Sequence, residues 1–183
     1  MKDPDKLLFI HIPKTGGMSI RSMLNATLFD LDFGNRHLSA VGYCNKISRE
    51  LFDKLYKFTV VRNPYDRLVS YYYFMQTDDS HPMHIELREL TLSEYIERAC
   101  NFAVYTQFKQ VEIEGRIVVD RILRFENLDE DWKQLATEFG LPEFLPKVNT
   151  SAHCNWQEEL SASDIEAVYK SFEVDFKMFG YDK

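Results

Sequence analysis

Apolar residues along this chain come in short runs separated by charged and polar stretches, and their spacing switches between that of strands and that of helices. Residues 6–12, KLLFIHI, form a compact apolar run closed by Pro13, the pattern of a buried strand. The segment that follows, TGGMSIRSMLN, offers two glycines for a turn and then Ile20, Met23 and Leu24 at helical spacing. Further on, the pattern predicts a short strand over residues 30–33, a helix over 47–55 and a third strand over 57–62. Asn63 and Pro64 then supply an N-cap and a proline at the first helical position, and Asp66 suits the positive end of the helix dipole. Along that helix Leu68, Val69, Tyr72 and Tyr73 mark a buried face.

Thr91 with Glu94, and Ser161 with Asp164, have the spacing of capping boxes and open two more helices. Between them residues 118–125 predict a strand, and residues 128–139 a helix that Gly140 and Pro142 stop. Strands alternating with helices require crossover connections, so the expected fold is α/β, a three-layer sandwich with a central parallel sheet. No repeat, low-complexity tract or proline-rich linker interrupts the chain, and residues 1–183 are expected to form one domain. In such sheets ligands sit beyond the carboxyl ends of the strands, so the residues just after each strand are the ones to inspect.

Composition narrows the function classes. With 14 Phe, 10 Tyr and 2 Trp, the 183 residues carry ample material for one buried core. No apolar run is long enough to span a bilayer, and the opening MKDPDK lacks a signal-peptide pattern. Cys44, Cys100 and Cys154 are far apart, with no CxxC pair, and read as reduced thiols of a cytoplasmic protein. A net charge of −7 excludes a broad basic surface for nucleic acid or an anionic membrane. The charge is uneven, however. Up to Thr77 eleven basic residues outweigh seven acidic ones, and beyond it twenty-two acidic residues outweigh eleven basic.

The positive portion holds two strand-end motifs. After the first predicted strand comes Pro13-Lys14-Thr15-Gly16-Gly17-Met18-Ser19. Glycines let the backbone approach an anion, N–H groups at the helix start point at it, and Lys14 adds a point charge. A nucleoside triphosphate P-loop has its lysine after the glycines, whereas Lys14 precedes Gly16 and Gly17. That order counts against a kinase or ATPase, although Ile117-Val118-Val119-Asp120 resembles the acidic strand that helps hold magnesium in those enzymes. After the strand over 57–62 comes Arg62-Asn63-Pro64-Tyr65-Asp66-Arg67-Leu68-Val69-Ser70. Arg62 at the strand end and Ser70 on the following helix offer a guanidinium and a hydroxyl to a second phosphate.

Taken in order, IHIPKTGGMSI and KFTVVRNPYDRLVSYY resemble the motifs of the sulfotransferases that use 3'-phosphoadenosine 5'-phosphosulfate (PAPS). Within that family the likeness is to the carbohydrate branch with heparan sulfate 2-O-sulfotransferase-like proteins, and to small bacterial-type members. The resemblance implies a P-loop-like nucleotide-binding fold. It also implies that Lys14, Thr15, Gly16, Gly17, Met18 and Ser19 hold the 5'-phosphosulfate, and Arg62 and Ser70 the 3'-phosphate. Asn35-Arg36-His37-Leu38-Ser39-Ala40 resembles a segment between the two motifs, and Arg124-Phe125-Glu126-Asn127-Leu128 is similar to a late strand-end motif. With the family-like stretch from Asn149 to Tyr181, the resemblance covers nearly the full chain. Met18 departs from it, since the family usually has Thr or Ser there; one side-chain hydroxyl is lost while the backbone N–H remains.

Sulfuryl transfer requires removal of the acceptor's hydroxyl proton, in-line attack on sulfur and stabilisation of the departing phosphate. Lys14 suits the last role, and the layout calls for no metal ion. Any of five histidines fits the base by residue type. The family position selects His37, with His153 second. His81 and His84 lie in a polar loop able to line an acceptor groove, and His11 is expected to point away from the cradle or pack in the sheet. Glu126 is an alternative base that the resemblance makes a buried structural carboxylate, and Phe125 is a candidate for the adenine slot.

The expected activity is therefore transfer of sulfate from PAPS to a hydroxyl-bearing acceptor, a carbohydrate. The alternatives are a P-loop-type nucleotide or small-molecule kinase and a non-catalytic nucleotide-binding module. Acidity beyond Thr77 favours a neutral or lightly charged sugar over a highly sulfated polymer. Without a membrane anchor the chain is expected to be either a complete small cytoplasmic enzyme or an excised domain, and Met1 at the start favours the former.

Overall fold

The computed structural model describes residues 2–24, 37–77, 84–101, 106–146, 148 and 155–183. In chain order the elements are β1 (Leu7–Ile10), α1 (Gly17–Leu24), α2 (Ala40–Ile47), α3 (Arg49–Lys54), β2 (Tyr56–Val61), α4 (Pro64–Thr77), α5 (His84–Leu87), α6 (Leu92–Asn101), α7 (Gln107–Val111), β3 (Glu112–Ile113), β4 (Arg116–Ile117), β5 (Arg121–Arg124), α8 (Leu128–Phe139), α9 (Trp156–Glu159), α10 (Ala162–Ser171) and α11 (Glu173–Phe179). They fall into two compact units, one of Met1–Arg62 with Gln107–Asn149, the other of Asn63–Thr106 with Thr150–Lys183.

The first unit carries the parallel sheet, in the order β1-β2-β5. Leu7 pairs with Tyr56, and Phe58 with Arg121, so β2 is central. Alternation along the strands places Leu7, Phe9, Phe58, Val60 and Leu123 on one face. There they bury with Ile20 and Leu24 of α1 and Trp132, Leu135, Ala136 and Phe139 of α8. Each large side chain removed from water in this way contributes about 1.5–3 kcal/mol. On the opposite face the buried Lys57 ammonium donates to the carbonyls of Phe52 and Leu55 and lies 3.2 Å from the Asp120 carboxylate.

Local chemistry explains most element ends. Asp129, Glu130 and Asp131 fill the first turn of α8, and Gly140, at φ 68°, closes it with its N–H on the Ala136 carbonyl. The helix predicted over 47–55 is present as α3, and a further helix not predicted from the spacing, α2, ends just before it at Ser48, whose φ of 72° separates the two while its hydroxyl caps α3. Ser39 caps the preceding α2 through the Gly42 N–H. The strand predicted over 118–125 shrinks to Arg121–Arg124. Val118 is held by the Val111 carbonyl beside the β3–β4 hairpin, and Asp120 anchors Lys57 through backbone and side chain. The strand predicted over residues 30–33 lies outside the described residues.

In the second unit Asn63 accepts the Tyr65 N–H at 2.9 Å and opens α4. Tyr65, Leu68, Val69 and Met75 bury with Tyr95 and Ile96 of α6, Val168 of α10 and Phe176 of α11. Tyr72 and Tyr73 are half-buried rather than buried, since both hydroxyls reach polar partners, the Leu90 carbonyl and the Glu159 carboxylate. Both predicted capping boxes are present, at Thr91–Glu94 and Ser161–Asp164. Among the described residues no helix is long and apolar enough to cross a membrane.

Candidate functional site

The turn after β1 is built by backbone conformations that few residues tolerate. Lys14 and Gly16 both have positive φ, 68° and 79°. Thr15 is fully buried and donates its hydroxyl to the Ile12 carbonyl at 2.8 Å, stapling the turn from inside. Thr15 thus reaches the site as a loop brace through that bond. Gly17 opens α1, and the helix start directs backbone N–H groups of its first turn outward. A Cβ on Gly16 would stand 2.9 Å from the Leu128 side chain and 3.2 Å from the Phe125 ring, while one on Gly17 would overlap the His11 imidazole at 2.1 Å. Both glycines are therefore required by close approach. Ser19 is buried and accepts the Val148 N–H on its hydroxyl oxygen; Met18 is half-buried beside it.

Arg62 stands one residue beyond β2 and is 5% exposed. Its Nη1 donates to the Lys14 carbonyl at 3.0 Å, and its guanidinium lies 3.9 Å from the centre of the Phe125 ring. Phe125 is half-buried, one face under Arg62 and its edge toward Gly16. The first motif, the strand-end residue of the second and the late motif thus converge within the first unit. Gln107 holds Arg62 from behind. Its side-chain oxygen accepts the Arg62 N–H at 2.9 Å and its nitrogen donates to the Arg62 carbonyl at 2.8 Å.

His37 is exposed, with Nδ1 3.3 Å from the His11 carbonyl oxygen and its ring 4.5 Å from the His11 ring. His11 itself follows the last residue of β1, is 3% exposed, and lies between the Phe9 ring and Gly17. Of the two expectations for His11, the packed one holds: its ring stacks on Phe9 of β1, and it lies directly against Gly17 of the cradle instead of pointing away from it. Glu126 is exposed, on a single 3-10 turn over Phe125–Asn127, and is not the buried carboxylate the resemblance implied. Asp131 does that structural work, accepting the Arg124 N–H at 2.7 Å and the Asn127 amide at 2.8 Å.

Ser70 belongs to the second unit, where it and Arg67 are buried on α4. His81 and His153 lie outside the described residues, and for His84 only the backbone, in α5, is described. Sequence reasoning missed Gln107 and Asp131. The Asn127–Asp131 spacing is that of one helical turn and carries a signal. Gln107, 45 residues from its partner in sequence, carries none. Among the described residues no three His, Cys, Asp or Glu side chains cluster to hold a metal ion.

Compared with known proteins, the chain is 33% identical over 117 residues to an uncharacterized protein of Archaeoglobus fulgidus, covering 63% of this chain and 94% of that one. A second match extends further, reaching from residue 1 to residue 182, and it is to the sulfotransferase family. The two motifs that meet at Lys14 and Arg62 thus have their context: this chain belongs to the sulfotransferase family.

Proposed function

We propose that this protein transfers the sulfuryl group of PAPS to a hydroxyl of a carbohydrate acceptor, with Lys14 at the departing phosphate and His37 as general base. One observation carries the reading. Arg62, which opens the second motif, donates to the carbonyl of Lys14 in the first, so two cationic residues from separate motifs share one strand-end corner. The turn also suits a phosphosulfate, because it leads directly into the N-terminus of α1 at Gly17, where first-turn backbone N–H groups favour an anion.

When bound, PAPS supplies the electrophilic sulfur and the leaving phosphate. The chain's own residues do the rest. His37, exposed beside the cradle, accepts the acceptor's proton on an imidazole nitrogen. Lys14 neutralises charge on the departing oxygen, and the N–H groups of Gly17 and Met18 and the Ser19 residue bind the 5'-group. Arg62 takes the 3'-phosphate, the resemblance implying Ser70 beside it, and Phe125 contributes an apolar wall to the nucleotide pocket. The P-loop-like three-layer arrangement, one working domain over residues 1–183, the heparan sulfate 2-O-like branch and a cytoplasmic setting belong to the same proposal; the family match over residues 1–182 supports the sulfotransferase part of it.

A thermal-shift comparison tests it. At about a hundredfold excess over Kd, 3'-phosphoadenosine 5'-phosphate (PAP) should stabilise the chain by roughly 2.7 kcal/mol. For a chain of this length that is an upward shift of roughly 5–10 °C. A clear shift with ATP and magnesium and none with PAP would overturn the reading in favour of a kinase. With a carbohydrate acceptor in hand, His37→Ala should lower turnover about 10²–10⁴-fold while the PAP shift persists. Undiminished turnover would remove His37 as the base.

A further inference from the structure

We infer that Gln107 is a positioning residue for Arg62, fixing the strand-end guanidinium against the phosphate loop; the inference rests on the proposed nucleotide site. The sheet stops supporting β2 just before Arg62. The β1 partner ends opposite Thr59, and the β5 partner ends with Arg124 opposite Val61. Arg62 is nonetheless 5% exposed, so its backbone N–H and carbonyl both need partners away from water. The Gln107 amide supplies both, accepting at 2.9 Å and donating at 2.8 Å, as the peptide of a neighbouring strand would. Gln107 is fully buried at the first position of α7, so its rotamer is held by packing.

What this clamp fixes is a direction. From a backbone held on one side by β5 and on the other by Gln107, the Arg62 side chain reaches the Lys14 carbonyl and covers the Phe125 ring. Lys14 sits at φ 68°, a conformation that L-residues adopt reluctantly, and a hydrogen bond to its carbonyl helps hold it there. Loosening Gln107 would therefore be read at the nucleotide site through Arg62. A purely structural glutamine would lower stability and leave affinity in the folded protein unchanged.

A double-mutant cycle separates these roles. PAP affinity is measured by calorimetry on the full chain as the parent, Gln107→Leu, Arg62→Ala and the double variant, below each variant's unfolding temperature. Gln107→Leu removes both amide bonds at similar volume and should weaken PAP about tenfold, and in the Arg62→Ala background it should have no further effect. Unchanged affinity in folded Gln107→Leu, or an equal loss in both backgrounds, would overturn the inference. If Gln107→Leu does not fold, Gln107→Glu, which keeps the acceptor and loses the donor, takes its place in the same cycle. If the parent binds no PAP, the nucleotide reading falls, and the clamp is then judged by NMR. Slow exchange of the Arg62 guanidinium protons that is lost in the Gln107 variant sustains it; unchanged exchange sinks it.

Discussion

Replacing Gly17 by alanine isolates the close approach that shapes the cradle. The added Cβ would lie 2.1 Å from Cδ2 and Nε2 of His11. Carbon atoms in contact prefer about 3.5–4.0 Å, so the overlap is far beyond what thermal motion absorbs. The imidazole has little room to retreat, because it is 3% exposed, stacks on Phe9 at 5.3 Å and meets the His37 ring at 4.5 Å. Overpacking of this kind costs about 1–3 kcal/mol. Working against it, Gly17 is not in the left-handed region, so alanine there would otherwise stabilise by about 0.4–1 kcal/mol through the unfolded chain. The net expectation is a loss of about 1–2 kcal/mol, a melting temperature lower by roughly 2–8 °C for a chain of this length. In a His11→Ala background the overlap is gone and the same substitution should change sign, raising the melting temperature by roughly 1–4 °C. Four thermal unfolding curves measure this. Gly17→Ala stabilising the parent, or the same sign in both backgrounds, would refute the packing argument.

Lys14 has a φ of 68°, which costs an L-residue about 1–2 kcal/mol, so Lys14→Gly should melt above Lys14→Ala while both lose sulfuryl transfer. Equal melting temperatures would show that the loop relaxes in the variants. Hydrogen bonds from the Thr91 N–H and hydroxyl hold the exposed Glu94 carboxyl below its ordinary value of 4.5. A lowered folded value means the contribution is present above the ordinary value and lost as pH falls through the folded value, so Glu94→Gln should flatten the fall in melting temperature as pH drops below 4.5. An unchanged slope would show that the capping box does not govern the acid limb.

How much of this could be seen in advance depends on the range of the interaction. The helix over 128–139 was legible because its acidic first turn and its glycine stop are local signals, and α8 has the predicted limits. The two strand-end motifs were legible for the same reason, since loop, charge and helix start lie within a few residues. Ser48 was not. Its positive φ ends α2, a helix the spacing did not predict, just before the predicted α3, and serine is not a residue that announces such a break. The strand over 118–125 is shorter than its apolar content suggests because the Val118 N–H is taken by the Val111 carbonyl beside the hairpin and Asp120 is tied to Lys57. Gln107 and the burial of His11 beneath Gly17 are tertiary facts, invisible until the strand ends are brought together.

Among the described residues three non-glycine positions have positive φ, namely Lys14, Ser48 and Glu114. Glu114 sits with Gly115 in a two-residue hairpin turn, where positive φ is what the strand twist requires. Ser48 joins two helices and caps the second through its hydroxyl. Neither explanation extends to Lys14. It lies in the turn between β1 and α1, where glycine would meet the same backbone at lower cost. The fold nevertheless braces the lysine there, with Thr15 stapling the turn from inside and Arg62 holding the Lys14 carbonyl. A strained residue that glycine could replace, supported by two buried side chains, is what the proposed role of Lys14 calls for, a fixed charge at a departing phosphate.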